Sequence, residues 1–310
     1  MKHFLIINPH SGGGKAAKDW KTISALLAQA DIEYDANFTQ RRNHASEMIF
    51  AALKTGYRNI IAVGGDGTLN EVINGIYNQQ NVPTQDITVA IIPIGTGNDW
   101  AKTFGFPKDY KAIVDVIKTN KKYLHDVGKA VYHEGGNEKS HYFINIAGMA
   151  YDAFVTLKTN EEKDKGKTGK MFYMLSILKH LLKYKETVIS YKIDGLEYSG
   201  EIFSLCAGIC RYNGDGMKQV PNAIPNDGLL DITVINKMSR LKIILNLPNL
   251  MDGSFINKPE INTYRCKTIE VDSKPEIMLE VDGESLGFSP FNISVMPNGV
   301  NMVIAKEPQI

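Results

Sequence analysis

Nowhere does the chain hold the ~18 uninterrupted apolar residues that a membrane-crossing helix requires. The apolar run near the N-terminus, Phe4 to Ile7, is too short even for the core of a signal peptide. Cysteine is nearly absent as well. Cys206, Cys210 and Cys266 are too few for a disulfide framework, and their apolar or strand-like surroundings fit buried, reduced thiols of a cytoplasmic protein. Cys206 and Cys210 lie four apart, but no His or Cys cluster nearby completes a metal site. The formal charge is only +1, which gives no support for a nucleic-acid partner. Internal repeats and low-complexity tracts are missing too. The sequence therefore describes an ordinary globular protein that folds without staples.

A length of 310 residues favours two domains. Residues 1–127 alternate strand and helix signals: Phe4–Asn8, Ala16–Ala30, Ile32–Thr39, Ala45–Lys54, Asn59–Val63, Leu69–Tyr77 and Thr88–Ile92. That order predicts an α/β domain with a largely parallel, helix-covered sheet, whose ligands bind beyond the carboxyl ends of the strands. Residues 128–290 carry short strand signals separated by turns such as Asp194-Gly195 and Asp282-Gly283, which predicts a mainly-β, sandwich-like domain. Two helical segments interrupt it, Thr168–Lys183 and Ser239–Leu250. The last segment, 291–310, is a candidate to return to the first domain. The polar stretch Lys158–Lys170 reads as a mobile surface loop.

Chemistry concentrates in glycine-rich turns. Gly64-Gly65-Asp66-Gly67-Thr68-Leu69-Asn70 lies between a buried strand and a helix. Glycines let backbone amides approach a phosphate, and the helix start adds donors and a favourable dipole. Asp66 introduces a carboxylate, which suits a phosphate site only where a metal or a proton needs it. The plain reading is a tight turn with an Asp cap. A second segment, Gly95-Thr96-Gly97-Asn98-Asp99, also follows a strand and precedes a helix, so the two turns are expected to converge on one crevice fit for a nucleoside triphosphate with Mg²⁺. Ser11-Gly12-Gly13-Gly14-Lys15 departs from the P-loop spacing, which disfavours that class of NTPase.

With these motifs the chain resembles the diacylglycerol kinase catalytic-domain family, a group of soluble bacterial lipid kinases with more distant relatives among sphingosine and ceramide kinases. The resemblance rests on NPHSGGGK at 8–15, Thr39, GGDGTLNE at 64–71, PIGTGND at 93–99, HDVGKA at 125–130, PNAIPNDGLLD at 221–231 and VDGE at 281–284. It implies ATP bound through Asn8, Thr39, Gly64–Asn70 and Thr96, and a lipid entering between the domains. It implies Glu284 as the general base. Asp66, Asp99 and Asp126 would organise Mg²⁺ and the phosphates, and a structural Mg²⁺ would sit at Asp227 with the carbonyls of Ile224 and Leu229. It also implies a homodimer through second-domain strands. The acceptor it favours is diacylglycerol, with transient contact at the inner face of the membrane.

Taken without the family, Asp282-Gly283 and Asn226-Asp227-Gly228 are ordinary turn signals. Met171–Lys185 sets Met171, Met174, Leu175, Leu178, Leu181 and Leu182 on one helical stripe flanked by lysines. That pattern fits a membrane-surface helix or, as the plainer reading, a helix packed on its own domain. Two other functions remain open: an NAD kinase, which shares GGDGT, and an inactive lipid- or nucleotide-binding protein.

Overall fold

A computed structural model describes residues 2–163 and 170–308. The chain divides into two compact units, one of residues 1–127 with 297–310 and one of residues 128–296.

In the first unit, β1 (His3–Ile7), α1 (Ser11–Gln29), β2 (Tyr34–Phe38), α2 (His44–Lys54), β3 (Asn59–Gly64), α3 (Asp66–Asn78), β4 (Thr88–Pro93), α4 (Asp99–Thr103) and α5 (Tyr110–Thr119) follow one another. β1 pairs in parallel with both β2 and β3, and β3 with β4, giving the order β2-β1-β3-β4. The inner strands β1, β3 and β4 are buried on both faces, which is why Leu5-Ile6-Ile7 and Ile60–Val63 read as unbroken apolar runs. One face packs Leu5, Ile7, Ile61, Val63 and Ile92 against Ile23 and Leu27 of α1 and Ile113 and Ile117 of α5. The strand order reverses between β1 and β3, so the carboxyl ends of these two strands open the ligand-binding crevice of such a sheet.

The chain leaves this unit within β5 (Lys122–Glu134). The second unit continues with β6 (Asn137–Phe143), β7 (Ile146–Ala150), α6 (Tyr151–Lys163), α7 (Lys170–Leu181), β8 (Thr187–Ile193), β9 (Leu196–Gly208), β10 (Leu230–Asn236), α8 (Arg240–Asp252), β11 (Ile261–Cys266), β12 (Thr268–Ser273), β13 (Met278–Val281) and β14 (Glu284–Val303). Its pairings are antiparallel. β9 runs between β7 and β10 and also pairs with β8, while β13 joins β7 to β14. Leu205, Ala207, Ile232, Val234, Leu279, Phe291 and Ile293 fill its core. Tight turns set the register: Asp194-Gly195 and Asp282-Gly283 hold positive φ at both positions, as two-residue hairpin turns require.

From Pro297 the chain belongs to the first unit again. Asn301 and Met302 lie parallel to Thr88 and Val89 of β4, and the Lys306 amide donates to the Phe104 carbonyl at 2.9 Å.

Two expectations about helices need correction. Lys158–Lys163 is the last part of α6 rather than a loop, because Val155 and Thr159 are buried and Lys158 pairs with Glu161 one turn on. The rest of that polar stretch, 164–169, lies outside the described residues. In α7 the buried positions are Ser176, Ile177, His180 and Leu181, whereas Leu175 and Leu182 are exposed. The inward face is thus turned from the stripe read in sequence; the side chains of Met171 and Met174 lie outside the described ones. All three cysteines are buried and reduced. Among the described residues no helix is long and apolar enough to cross a membrane.

Candidate active site

In the first unit the glycine-rich turns meet. Asp66, the first residue of α3, reaches the start of α4 and accepts the amides of Asp99 at 2.9 Å and Trp100 at 3.1 Å. A Cβ on Gly95 would stand 2.9 Å from the Cα of Gly65 and 2.6 Å from Asn98 Oδ1, so backbone meets backbone there with room only for glycine. Asn8, just past β1, donates to Thr68 Oγ1 at 3.2 Å and draws the end of the first strand to the same turn. Its own side-chain oxygen accepts the His10 amide at 3.0 Å. Thr39, also buried, follows β2 and donates its amide to the Ile7 carbonyl at 2.8 Å. Thr96 is exposed on the second turn. Asn8, Gly64, Gly65, Gly67, Thr68, Asn70, Gly95, Asn98, Asp66 and Asp99 therefore gather at the carboxyl ends of β1, β3 and β4.

The arrangement fits a nucleoside triphosphate. Asn98 Oδ1 is buried with no hydrogen-bond partner among the described residues, an acceptor suited to a nucleotide N–H or O–H donor or to a cation. The α3 N-terminus and the bare glycine backbone supply donors and a positive dipole end. A carboxylate oxygen that accepts one amide keeps a second lone pair, so Asp66 can still face a dication. Asp99 is buried beside Lys102, whose Nζ lies 3.1 Å from Oδ1. No group of three His, Cys, Asp or Glu able to hold a metal occurs among the described residues. A magnesium ion here would complete its shell with phosphate oxygens and water, as Mg²⁺ commonly does.

Asp126 occupies a different setting. It is fully buried in β5, and Oδ1 accepts the Asn298 amide at 2.7 Å, tying the returning segment to the first unit. Its neighbour His125 accepts from Trp100 Nε1 at 3.1 Å and is held neutral by burial, which pushes its pKa down to about 4. Asp227, the residue expected to hold a structural magnesium, has protein partners. The Asp227 carboxylate forms an ion pair with the Arg265 guanidinium and accepts the Leu229 amide at 3.0 Å. A dication on Asp227 would share the carboxylate with that guanidinium, whose positive charge opposes it.

In the second unit, Glu284 opens β14 directly across the Asp282-Gly283 turn from Val281. Five side-chain hydrogen bonds hold this turn. Asp282 accepts the amides of Ile144, Asn145 and Ile146 at 3.0–3.1 Å. Glu280 Oε2 accepts the Gly283 amide at 2.9 Å. Asn160 Nδ2 donates to the Gly283 carbonyl at 3.1 Å.

From Glu280 a polar chain runs inward. Asn213 Nδ2 donates to Glu280 at 2.7 Å and to Gln219 at 3.1 Å, and Gln219 donates to Asp152 at 2.9 Å. Asp152 also receives Ser204 Oγ and Cys206 Sγ. The Asp152, Asn213 and Gln219 end of this chain borders a mainly apolar cavity of ≈ 90 Å³, walled by Tyr151, Ile177 and Phe203 among others. Gly148 is needed here because a Cβ would sit 2.7 Å from Glu280 Oε1 and 3.0 Å from Asp152 Cβ. Two residues on, Ala150 holds φ at 64°, a left-handed conformation that costs an alanine about 1 kcal/mol.

Burial raises the pKa of Asp152 and pushes that of Glu280 up to about 8; the hydrogen bond from Gly283 opposes the second shift, and nearby Asp152 adds to it. Folded Glu280 thus binds more protons than the unfolded chain between roughly pH 4.3 and pH 8. Its contribution is fully present below that window and is lost as pH rises through it, with a slope of at most about 1.4 kcal/mol per pH unit. Asp152 adds a slope of the same sign. Melting curves recorded across this range should therefore fall less steeply for Glu280→Gln than for the native chain; parallel curves would show that Glu280 titrates normally.

Sequence reading missed Asp152, Asn213, Gln219 and Glu280. The available signals were slight: one acid inside the apolar run Ile277–Val281, and an Asp just after a strand that ends in small residues.

The same two halves emerge from comparison with known proteins. Residues 2–130 match the diacylglycerol kinase catalytic domain, and residues 145–304 match the YegS C-terminal NAD kinase beta sandwich-like domain. The chain is 30% identical to a diacylglycerol kinase of Staphylococcus haemolyticus (strain JCSC1435), covering 98% of this chain and 88% of that protein. It is 28% identical to one of Bacillus subtilis (strain 168), covering 98% and 96%. A crystal structure of a diacylglycerol kinase from Bacillus anthracis str. Sterne shares the fold, with a TM-score of 0.72 at 23% identity and coverage of 98% and 96%. With matches that run along both units of the chain, this protein belongs to the diacylglycerol kinase family of lipid kinases.

Proposed function

We propose that the chain transfers the γ-phosphoryl group of ATP to the free hydroxyl of diacylglycerol, giving phosphatidic acid and ADP. The observation that carries this reading is the junction of the two glycine turns, where Asp66 holds the amides of Asp99 and Trp100 beyond the carboxyl ends of the neighbouring parallel strands β3 and β4. Phosphoryl transfer asks mainly for positioning and charge neutralisation, and these turns offer backbone donors and carboxylates suited to both. Magnesium, when bound beside Asp66 and Asp99, would neutralise charge developing on the phosphates. The role of base falls to Glu284. Its carboxylate takes the hydroxyl proton as the lipid oxygen forms a bond to the γ-phosphorus, and the bond from that phosphorus to the β,γ-bridging oxygen breaks to release ADP. The apolar cavity of the second unit, with Asp152 at its polar end, suits part of an acyl chain and an ester or hydroxyl group.

The transfer is tested with γ-labelled ATP against a panel of lipid alcohols in mixed micelles, with NAD as a separate acceptor. Label is expected in phosphatidic acid and in no NADP. Label appearing in NADP, or in a different lipid in preference to diacylglycerol, would replace this reading.

A further inference from the structure

Helix α8 is apolar on two faces, which a helix packed on its domain has no need to be. Ile243, Leu247 and Leu250 face the cavity and help roof it. A quarter-turn or more away, Leu241 is 67% exposed, Ile244 39%, Leu245 69% and Met251 38%, and Pro248 continues the same ridge at helical spacing. We propose that this ridge is a docking surface for an anionic lipid bilayer, so that α8 lies between the membrane and the cavity as its lid.

Three further features support a bilayer as the occupant. The ridge consists of aliphatic side chains and carries no Trp, Tyr or unpaired Arg, the residues that anchor protein interfaces; Arg240 is held by Glu186 at 3.1 Å. Insertion into a lipid interface, in contrast, needs only apolar area with cations beside it. α7, which walls the same cavity through Ile177, exposes Leu175 and Leu182 and is followed by exposed Lys183 and Lys185. Finally, the cavity is far below the ~300–1,000 Å³ of sites that enclose a ligand of drug size, so it takes in more than a short piece of a lipid chain only if its roof moves. Pro248 has no amide to give the Ile244 carbonyl, which leaves the middle of α8 the easiest place to bend.

The inference rests on the lipid-kinase reading for its purpose, but the two are tested separately. Flotation with vesicles of phosphatidylglycerol and phosphatidylcholine measures docking. Transfer to a short-chain diacylglycerol dissolved as monomer measures chemistry. The double variant Leu241→Asp/Leu245→Asp should bind vesicles at least ~10-fold more weakly and lose turnover of long-chain diacylglycerol in vesicles, while keeping its melting temperature and its rate on the monomeric substrate. Leu196→Asp, at an equally exposed leucine (66%) in the β8–β9 hairpin, should change none of these. Unaltered vesicle binding by the double variant would overturn the docking surface. So would a native oligomer that the double variant dissociates with vesicle binding intact, since α8 would then face a second copy. Vesicle binding lost by the variant in a protein that phosphorylates no lipid would leave α8 as a membrane surface and remove the kinase reading.

Discussion

Glu284→Gln is expected to lower phosphoryl transfer by at least ~10²-fold, the usual loss for a general base, with little change in melting temperature. Glutamine keeps the shape of glutamate and one acceptor oxygen but cannot take a proton. The position is half-buried at the mouth of a two-residue turn whose geometry depends on Asp282 and Gly283. The hairpin pairing with Val281 is through the backbone and survives the exchange. Nucleotide affinity, assigned to the turns of the first unit, should stay near the native value. Glu284→Asp, which withdraws the carboxylate by one methylene, should fall between the two. Steady-state transfer with labelled ATP, a thermal melt and a nucleotide titration on the three proteins decide it. Turnover of Glu284→Gln within ~3-fold of native would exclude Glu284 as the base.

The glycine turns of the first unit were easier to read in the sequence than the buried polar chain of the second, and the reason is physical. Turns that bring backbone to phosphate need glycine at fixed places, so Gly64-Gly65 and Gly95 announce themselves between apolar strands. The meeting of Asp66 with the amides of Asp99 and Trp100 follows from those turns ending neighbouring parallel strands. The second unit works through long-range contacts instead. Asp152 and Glu280 are about 130 residues apart in the chain and come together only because β7 pairs with β13. No local pattern marks such a pair. Helix α6 was hidden for a related reason: its buried Val155 and Thr159 pack against distant strands and against Ser176 of α7, while its sequence is mostly polar. Asp227 shows the same dependence on distant partners. The turn Asn226-Asp227-Gly228 was legible, but its partner Arg265 lies on β11, which was not among the strand signals.

Asp282→Ala should produce the largest loss of stability, about 3–5 kcal/mol, or a drop of roughly 10 °C in melting temperature. The carboxylate is the acceptor for three successive amides, those of Ile144, Asn145 and Ile146, and all three residues are buried. Alanine leaves three donors with nothing to bond, each a penalty of about 1–3 kcal/mol, and only a trapped water could recover part of this. Asp282→Asn should cost less, because one oxygen remains, although its NH₂ group then points toward amides that are donors themselves. The substitution also frees the turn that presents Glu284, so transfer should fall in Asp282→Ala along with stability. That pairing separates the two acids of the turn. Glu284→Gln removes activity and spares the melt, whereas Asp282→Ala lowers both. If instead Asp282→Ala melts within ~1 kcal/mol of native, the three amides have found other acceptors and Asp282 is not what holds the turn.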